Sequence, residues 1–174
     1  MLFRSKMGYA IAQAAWEAGA HVTLVSGPTG LDQPYGVQRQ AVQTAQQMHD
    51  AVMAQVASHD IFIAVAAVAD WHVADVSPQK IKKQDGAAPA LVFEPNPDIL
   101  ATVAALSSPP YCVGFAAESE NLLTFGAEKR IKKNIPLLVG NIGHQTFGQD
   151  DNEIVLFDAH GQHPVPREIG RAHV

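Results

Sequence analysis

Hydrophobic and polar positions along the chain switch between a helical and a strand period. Met7 through Ala18 is rich in alanine, contains no proline and runs into Gly19, the pattern of a helix stopped by a C-terminal glycine. His21 through Ser26 is a short run rich in β-branched residues and is closed by Gly27-Pro28, so a strand and a turn follow. Leu31 to Gln43 reads as turn-rich. Thr44 is then placed to cap a helix whose Ala45, Met48, Val52 and Val56 recur at spacings of three and four. Asp60 to Ala66 reads as a strand buried on both faces.

From Ala67 to Ala90 the periodicity fades, over a stretch long for a compact domain, and connections of that size usually carry function or disorder. Leu91 to Glu94 suggests a short strand. Asn96-Pro97-Asp98 suits the first turn of a helix over Ile99–Leu106, because proline costs nothing there and an acid favours the positive end of the dipole. Tyr111–Ala116 predicts a strand, Asn121–Lys133 a helix and Leu137–Asn141 another strand. Asn152–Asp158 and Gln162–Pro166, around Ala159-His160-Gly161, predict a hairpin. Strands alternating with helices imply an α/β fold: a doubly wound, mostly parallel sheet with a C-terminal β-hairpin. Such a domain opens with a strand that feeds the first helix, whereas here the helix comes almost at once, so an N-terminal strand is expected to be missing. With no internal repeat and no low-complexity linker, residues 1–174 are expected to form a single domain.

Composition narrows the classes. Apolar residues make up 47% of the chain, enough for a substantial core. The 17 acidic against 12 Lys and Arg residues argue against a nucleic-acid partner. No run reaches the roughly 20 apolar residues that span a bilayer, so no membrane association is expected. Cys112 is the only cysteine, which excludes an intramolecular disulfide and points to a reducing, cytoplasmic setting. Its place in an apolar strand suits an inert core thiol better than a nucleophile. His160 and His163 lack an accompanying set of Cys or carboxylate ligands, and no metal-ligating residues are assigned.

Open parallel sheets bind ligands beyond the carboxyl ends of their strands. Three segments fall there: Ala66-Ala67-Val68-Ala69-Asp70-Trp71, Gly114-Phe115-Ala116-Ala117-Glu118, and Gly140-Asn141. The small residues of the first let a ligand approach the backbone, and Asp70 could accept hydrogen bonds from a sugar or base; equally, the segment could finish a buried strand with Asp70 as a cap. Phe115 could stack on a nucleobase or fill the core. Lys80-Ile81-Lys82-Lys83 lies in the long loop, where cations could neutralise phosphates or simply be solvated. Lys129-Arg130-Ile131-Lys132-Lys133 ends a helix, where the dipole alone favours cations. Two basic clusters in an acidic chain nevertheless suggest a polyanionic ligand.

Taken in order, Lys6–Ala12, Val22–Pro28, Ala66–Asp70, Lys80–Lys83, Asn96–Ile99, Val113–Glu118 and Lys129–Lys133 resemble the phosphopantothenoylcysteine synthetase family, the phosphopantothenate–cysteine ligases of coenzyme A biosynthesis. The resemblance spans nearly the whole chain. It implies a Rossmann-like fold and a ligase that joins 4′-phosphopantothenate to L-cysteine. CTP would be the activating nucleotide through an acyl-cytidylate, with Mg²⁺ as counterion, and a homodimer would be the assembly. It further implies that Lys80 is the catalytic loop lysine on CTP. The nucleotide would be bound by Ala66, Asp70, Lys80, Asn96, Pro97, Asp98, Ile99, Phe115, Lys129 and Lys133, with the long loop as a lid. The family's flavin-containing decarboxylase half has no counterpart, so no flavin is expected.

The departures lie at the termini. Where the family has Asn-His-Ser-Ser-Gly before Lys-Met-Gly, this chain has Met1-Leu2-Phe3-Arg4-Ser5, which puts Met1 at the catalytic Asn and Ser5 at the loop glycine. Only Arg167–Val174 stands where the family has a closing helix. A domain truncated at both ends, and ligation impaired after the first half-reaction, are the expectations. Two other classes stay open: a non-catalytic nucleotide-binding or dimerisation module, and an NAD(P)-dependent Rossmann oxidoreductase. The second lacks the Gly-x-Gly-x-x-Gly turn that class requires.

Overall fold

The computed structural model describes residues 3–75, 91–118, 122–142 and 154–165. Helix α1 spans Phe3–Glu17 and strand β1 spans Thr23–Ser26, with Gly19 in the left-handed conformation (φ 92°) that lets the helix stop and turn. Strand β2, Gln38–Ala41, pairs parallel with β1, in register from Thr23 opposite Gln38 to Ser26 opposite Ala41. The turn-rich reading of Leu31–Gln43 therefore needs correcting. Gln38, Gln40 and Ala41 are exposed, so this strand carries no apolar alternation that could announce it.

Helix α2, Ala45–Met53, is closed by a reciprocal cap in which Thr44 Oγ1 accepts from the Gln47 N–H while the Gln47 side chain accepts from the Thr44 N–H. A short 3-10 turn, Val56–Ser58, leads to β3, Ile61–Ala64. Strand β4, Trp71–Val73, and β5, Phe93–Pro95, form an antiparallel pair. The first lies in the stretch read as a loop, and the second sits two residues later than the Leu91–Glu94 strand expected there. Helix α3 (Ile99–Ala104), β6 (Tyr111–Glu118), α4 (Leu122–Lys132), β7 (Leu137–Ile142) and the hairpin strands β8 (Ile154–Phe157) and β9 (Gln162–Val165) complete the order.

The main sheet runs β3-β6-β7-β8-β9, parallel across the first three strands and antiparallel through the hairpin. Alternation along β6 separates its two faces. On one face Gly114 lies under Leu100, Ile135 and Leu138, whose side-chain carbons a Cβ there would meet at 2.7 to 3.2 Å. The same face holds the core: Val52, Val56, Ile99, Val103, Cys112, Ala116, Leu122, Ile135, Leu138 and Phe157. Phe157 is 1% exposed and wedges its ring against Gly126 of α4 and Gly140 of β7, both of which must lack a side chain for the ring to fit. Cys112 is core, 1% exposed, and burial pushes its thiol above the ordinary value, as expected of an inert cysteine. Among the described residues no helix is long and apolar enough to cross a membrane.

Candidate functional site

Just beyond the carboxyl end of β3 the chain runs through Ala66, Ala67 and Ala69 to Asp70, all exposed. This turn is held from across the fold by Asn96. Its N–H donates to the Asp70 carbonyl (2.8 Å) and its side-chain Nδ2 donates to the Ala69 carbonyl (2.9 Å). Asn96 thus ties the segment after β3 to the start of α3 through two hydrogen bonds. Pro97 follows, half-buried. Asp98 is the N-cap of α3, its Oδ1 accepting from the Ala101 N–H at 3.0 Å.

The second carboxylate oxygen of Asp98 is bonded by Lys133 Nζ, just past the end of α4. Burial, the largest single influence, pushes the Asp98 carboxyl up. The Lys133 hydrogen bond, the Ala101 N–H and the charges of Lys133 and Lys129 together outweigh it and hold the group below the usual carboxylate value. Asp98 therefore stays an anion that gathers two cations beside the start of α3. Asn134 follows in the left-handed conformation (φ 51°) that ends the helix, and Arg130 Nη1 donates to the Ile135 carbonyl at 3.1 Å, so this basic cluster is partly structural.

The expected site residues fall into four groups. Asp70, Asn96, Pro97, Asp98, Lys129 and Lys133 are brought together by the Asn96 bonds and by the charges around Asp98, and Ala66 lies four residues before Asp70 in the same exposed segment. Ile99 is at the same place in the chain, but its side chain is in the core, 8% exposed, so only its backbone can face a ligand. Phe115 is half-buried on the face of β6 opposite Gly114, and no described contact joins it to the cluster. Lys80 and the rest of the basic loop lie outside the described residues, as do Met1, Lys82, Lys83 and Arg167–Val174. What the sequence did not disclose is the brace itself. Asn96 and Asp98 read as a helix start, and their partners lie 27 and 35 positions away.

No group of three or more His, Cys, Asp or Glu side chains among the described residues could hold a metal ion. Asp98, the best-placed carboxylate, is already occupied by a lysine and a backbone N–H.

Residues 4–171 match the family described as the DNA/pantothenate metabolism flavoprotein C-terminal domain. The chain belongs to this family. The coenzyme A biosynthesis bifunctional protein CoaBC of Vibrio cholerae serotype O1 is 47% identical to it over 166 residues, covering 92% of this chain and 42% of that protein, so the chain spans well under half of the relative's length. The family fold is also seen in the crystal structure of the C-terminal domain of a CoaBC protein, which superposes with a TM-score of 0.76 at 33% identity over 92% of this chain and 72% of that one. A mutant of Cab2, solved in complex with phosphopantothenate-cysteine, shares the fold at TM-score 0.61 and 18% identity, over 79% of this chain and 48% of that one. The expected mostly parallel, Rossmann-like α/β fold is the fold observed.

Proposed function

We propose that this chain carries phosphopantothenate–cysteine ligase chemistry in coenzyme A biosynthesis, with CTP as the activating nucleotide and Mg²⁺ as its counterion. Family membership and 47% identity to a CoaBC protein support the reaction class. The single structural observation that carries it is the bracing of the exposed Ala66–Asp70 turn by Asn96, beside the Lys129 and Lys133 cations gathered by Asp98. A backbone-accessible turn next to paired cations is what a nucleoside triphosphate requires: small residues for the base and sugar, positive charge for the phosphates.

The chemistry follows from the poor reactivity of a carboxylate. An oxygen of the 4′-phosphopantothenate carboxylate attacks the α-phosphorus of CTP, the bond to the β-phosphate breaks, and pyrophosphate leaves. The resulting acyl-cytidylate is a good electrophile, and the amine of L-cysteine displaces CMP to form the amide. Negative charge builds on the phosphates in the first step, where Lys80 and Lys133 are proposed to stabilise it. Mg²⁺ carried on the nucleotide would supply further neutralisation of that charge. Asp70 and the Asn96–Ile99 backbone are proposed to orient the cytidine, with Phe115 at the periphery and no flavin required.

A homodimer in the cytoplasm is part of the same proposal. The β4-β5 ribbon exposes Trp71 (59%) and Phe93 (56%), with Val92 (60%) just before β5, apolar surface that a subunit contact would cover. That ribbon also favours the second reading, a dimerisation module without turnover. The full chain mixed with CTP, Mg²⁺ and 4′-phosphopantothenate is expected to release pyrophosphate, and L-cysteine to convert the intermediate to amide and CMP. Dimers without pyrophosphate release would establish the module reading instead.

A further inference from the structure

An asparagine side chain carries a donor on one arm and an acceptor on the other, and at Asn96 the donor arm is already engaged. Nδ2 donates to the Ala69 carbonyl at 2.9 Å. Turned over, the amide would set its own oxygen against that carbonyl oxygen, two acceptors with no proton between them, so its orientation is fixed. Oδ1 is left as an acceptor to which nothing among the described residues donates. The backbone of Asn96 is held as well. Its N–H donates to the Asp70 carbonyl at 2.8 Å, one pair beyond Trp71 opposite Pro95 in the β4-β5 ladder, and Pro97 behind it disfavours the helical conformation at Asn96. The acceptor therefore stands in place before any ligand arrives. Beside it Ala66, Ala67 and Ala69 are exposed and extend no further than a methyl group, so a flat ring can approach the backbone of the turn. A cleft of about 420 Å³ lined by Trp16, His21 and His59 adjoins the other, amino end of β3.

We infer that Asn96 Oδ1 selects the base of the nucleotide, accepting a hydrogen bond from an exocyclic amino group and rejecting a keto oxygen at the same position. The inference rests on the nucleotide reading of the site and adds the side chain that discriminates within it. Cytosine and uracil have nearly the same size and shape, so a pocket of alanines cannot tell them apart by fit. They differ at C4, where cytosine carries an amino group and uracil an oxygen, and at N3, which gains a proton in uracil. An amino N–H meets Oδ1 with a proton between the heavy atoms, whereas a keto oxygen meets it lone pair to lone pair. An asparagine free to rotate would serve either base by presenting Nδ2 to the keto oxygen. Asn96 cannot do so without losing the Ala69 bond and facing that carbonyl with its own oxygen. The hydrogen bond that braces the turn is thus the one that makes the site selective.

Equilibrium dialysis of the full chain against CTP and against UTP, each with Mg²⁺, reads the selectivity. A further triphosphate, whose pyrimidin-2-one base has hydrogen in place of the C4 amino group, removes the donor without adding an acceptor. Wild type is expected to bind CTP about tenfold or more tighter than UTP, with the pyrimidin-2-one nucleotide between them. Asn96→Ala is expected to weaken CTP binding and to bring the ratio of CTP to UTP affinity close to one. A residue that only braced the turn would, when replaced, weaken all of these nucleotides by the same factor. Equal wild-type affinity for CTP and UTP, a pyrimidin-2-one nucleotide bound as tightly as CTP, or an unchanged ratio in Asn96→Ala would each overturn the selective role and leave the nucleotide reading standing. Saturable binding of none of them to wild type would overturn both. The wild-type series decides the question whether or not Asn96→Ala folds.

Discussion

Glycine at the crossing of α4 with the sheet sets the position of the basic cluster, and replacing it gives a test whose sign is fixed by geometry. In a helix interior, glycine to alanine ordinarily stabilises by about 0.8–1 kcal/mol. At Gly126 the new Cβ would lie 2.5 and 2.6 Å from two carbons of the Phe157 ring, far inside van der Waals contact. The ring cannot yield, because it is 1% exposed and also presses on Gly140. Overpacking of this kind costs about 1–3 kcal/mol, so the net effect of Gly126→Ala is a loss of roughly 1 kcal/mol after the helix gain is subtracted. Gly8 in α1 is the control: a Cβ there meets Val65 at an ordinary 3.7 Å, so Gly8→Ala should gain up to about 1 kcal/mol. Urea unfolding of the three proteins reads both numbers, and a change of 1 kcal/mol should move Tm by about 2–4 °C. Because α4 leads to Lys129 and Lys133, Gly126→Ala should also weaken CTP binding. Equal stabilisation by both substitutions would refute the close packing of α4 on Phe157.

Further expectations concern the site and its supports. Asp98→Asn keeps a capping side chain but removes the charge that Lys133 meets; since half the Asp98 side chain is exposed, the loss at pH 7 should be about 0.2–1 kcal/mol. The Asp98 pKa is depressed in the folded chain, so its contribution is full above the unfolded value near ~3.9 and is lost as pH falls through the lower folded value. The difference between wild type and Asp98→Asn should therefore shrink as pH falls below the unfolded value and vanish once the folded carboxyl is protonated, and an undiminished difference in acid would assign the effect to capping. Thr44→Ala removes the reciprocal cap with Gln47 and should cost about 1 kcal/mol in urea unfolding; an unchanged midpoint would show that the cap contributes nothing. Lys80→Ala should lower pyrophosphate release about a hundredfold or more with folding unchanged, and retained activity would remove Lys80 from the proposed chemistry.

The elements legible in the sequence were those with an apolar run or period of their own. Ala45, Met48 and Val52 announced α2, and the apolar runs at Asp60–Ala66, Tyr111–Ala116 and Leu137–Asn141 announced the parallel strands; the first, expected to be buried on both faces, instead leaves Ile61 and Ile63 of β3 exposed. Strand β2 was silent because Gln38-Arg39-Gln40-Ala41 pairs at an edge through its backbone, with little buried side chain to set a period. Strand β4 was silent because three residues are too few to show alternation and its partner lies beyond a long connection. Position relative to strand ends placed Ala66–Asp70 just beyond β3, and the structure has the segment there. The brace could not be read, since the Asn96 and Asp98 bonds depend on which loops the fold brings together. Gly126 and Gly140 inside a helix and a strand were the one available hint of close approach at Phe157.

The most direct measurement is an NMR titration of the ¹⁵N-labelled chain with CTP in the presence of Mg²⁺. Saturable shifts are expected at the amides of Ala66–Trp71, at the Asn96 backbone and side chain, and at Ile99–Ala101, with a weaker response to ATP. Absence of any shift at Asn96 and Asp70, or shifts confined to the cleft at Trp16, His21 and His59, would contradict the placement of the nucleotide beside the Asn96 brace.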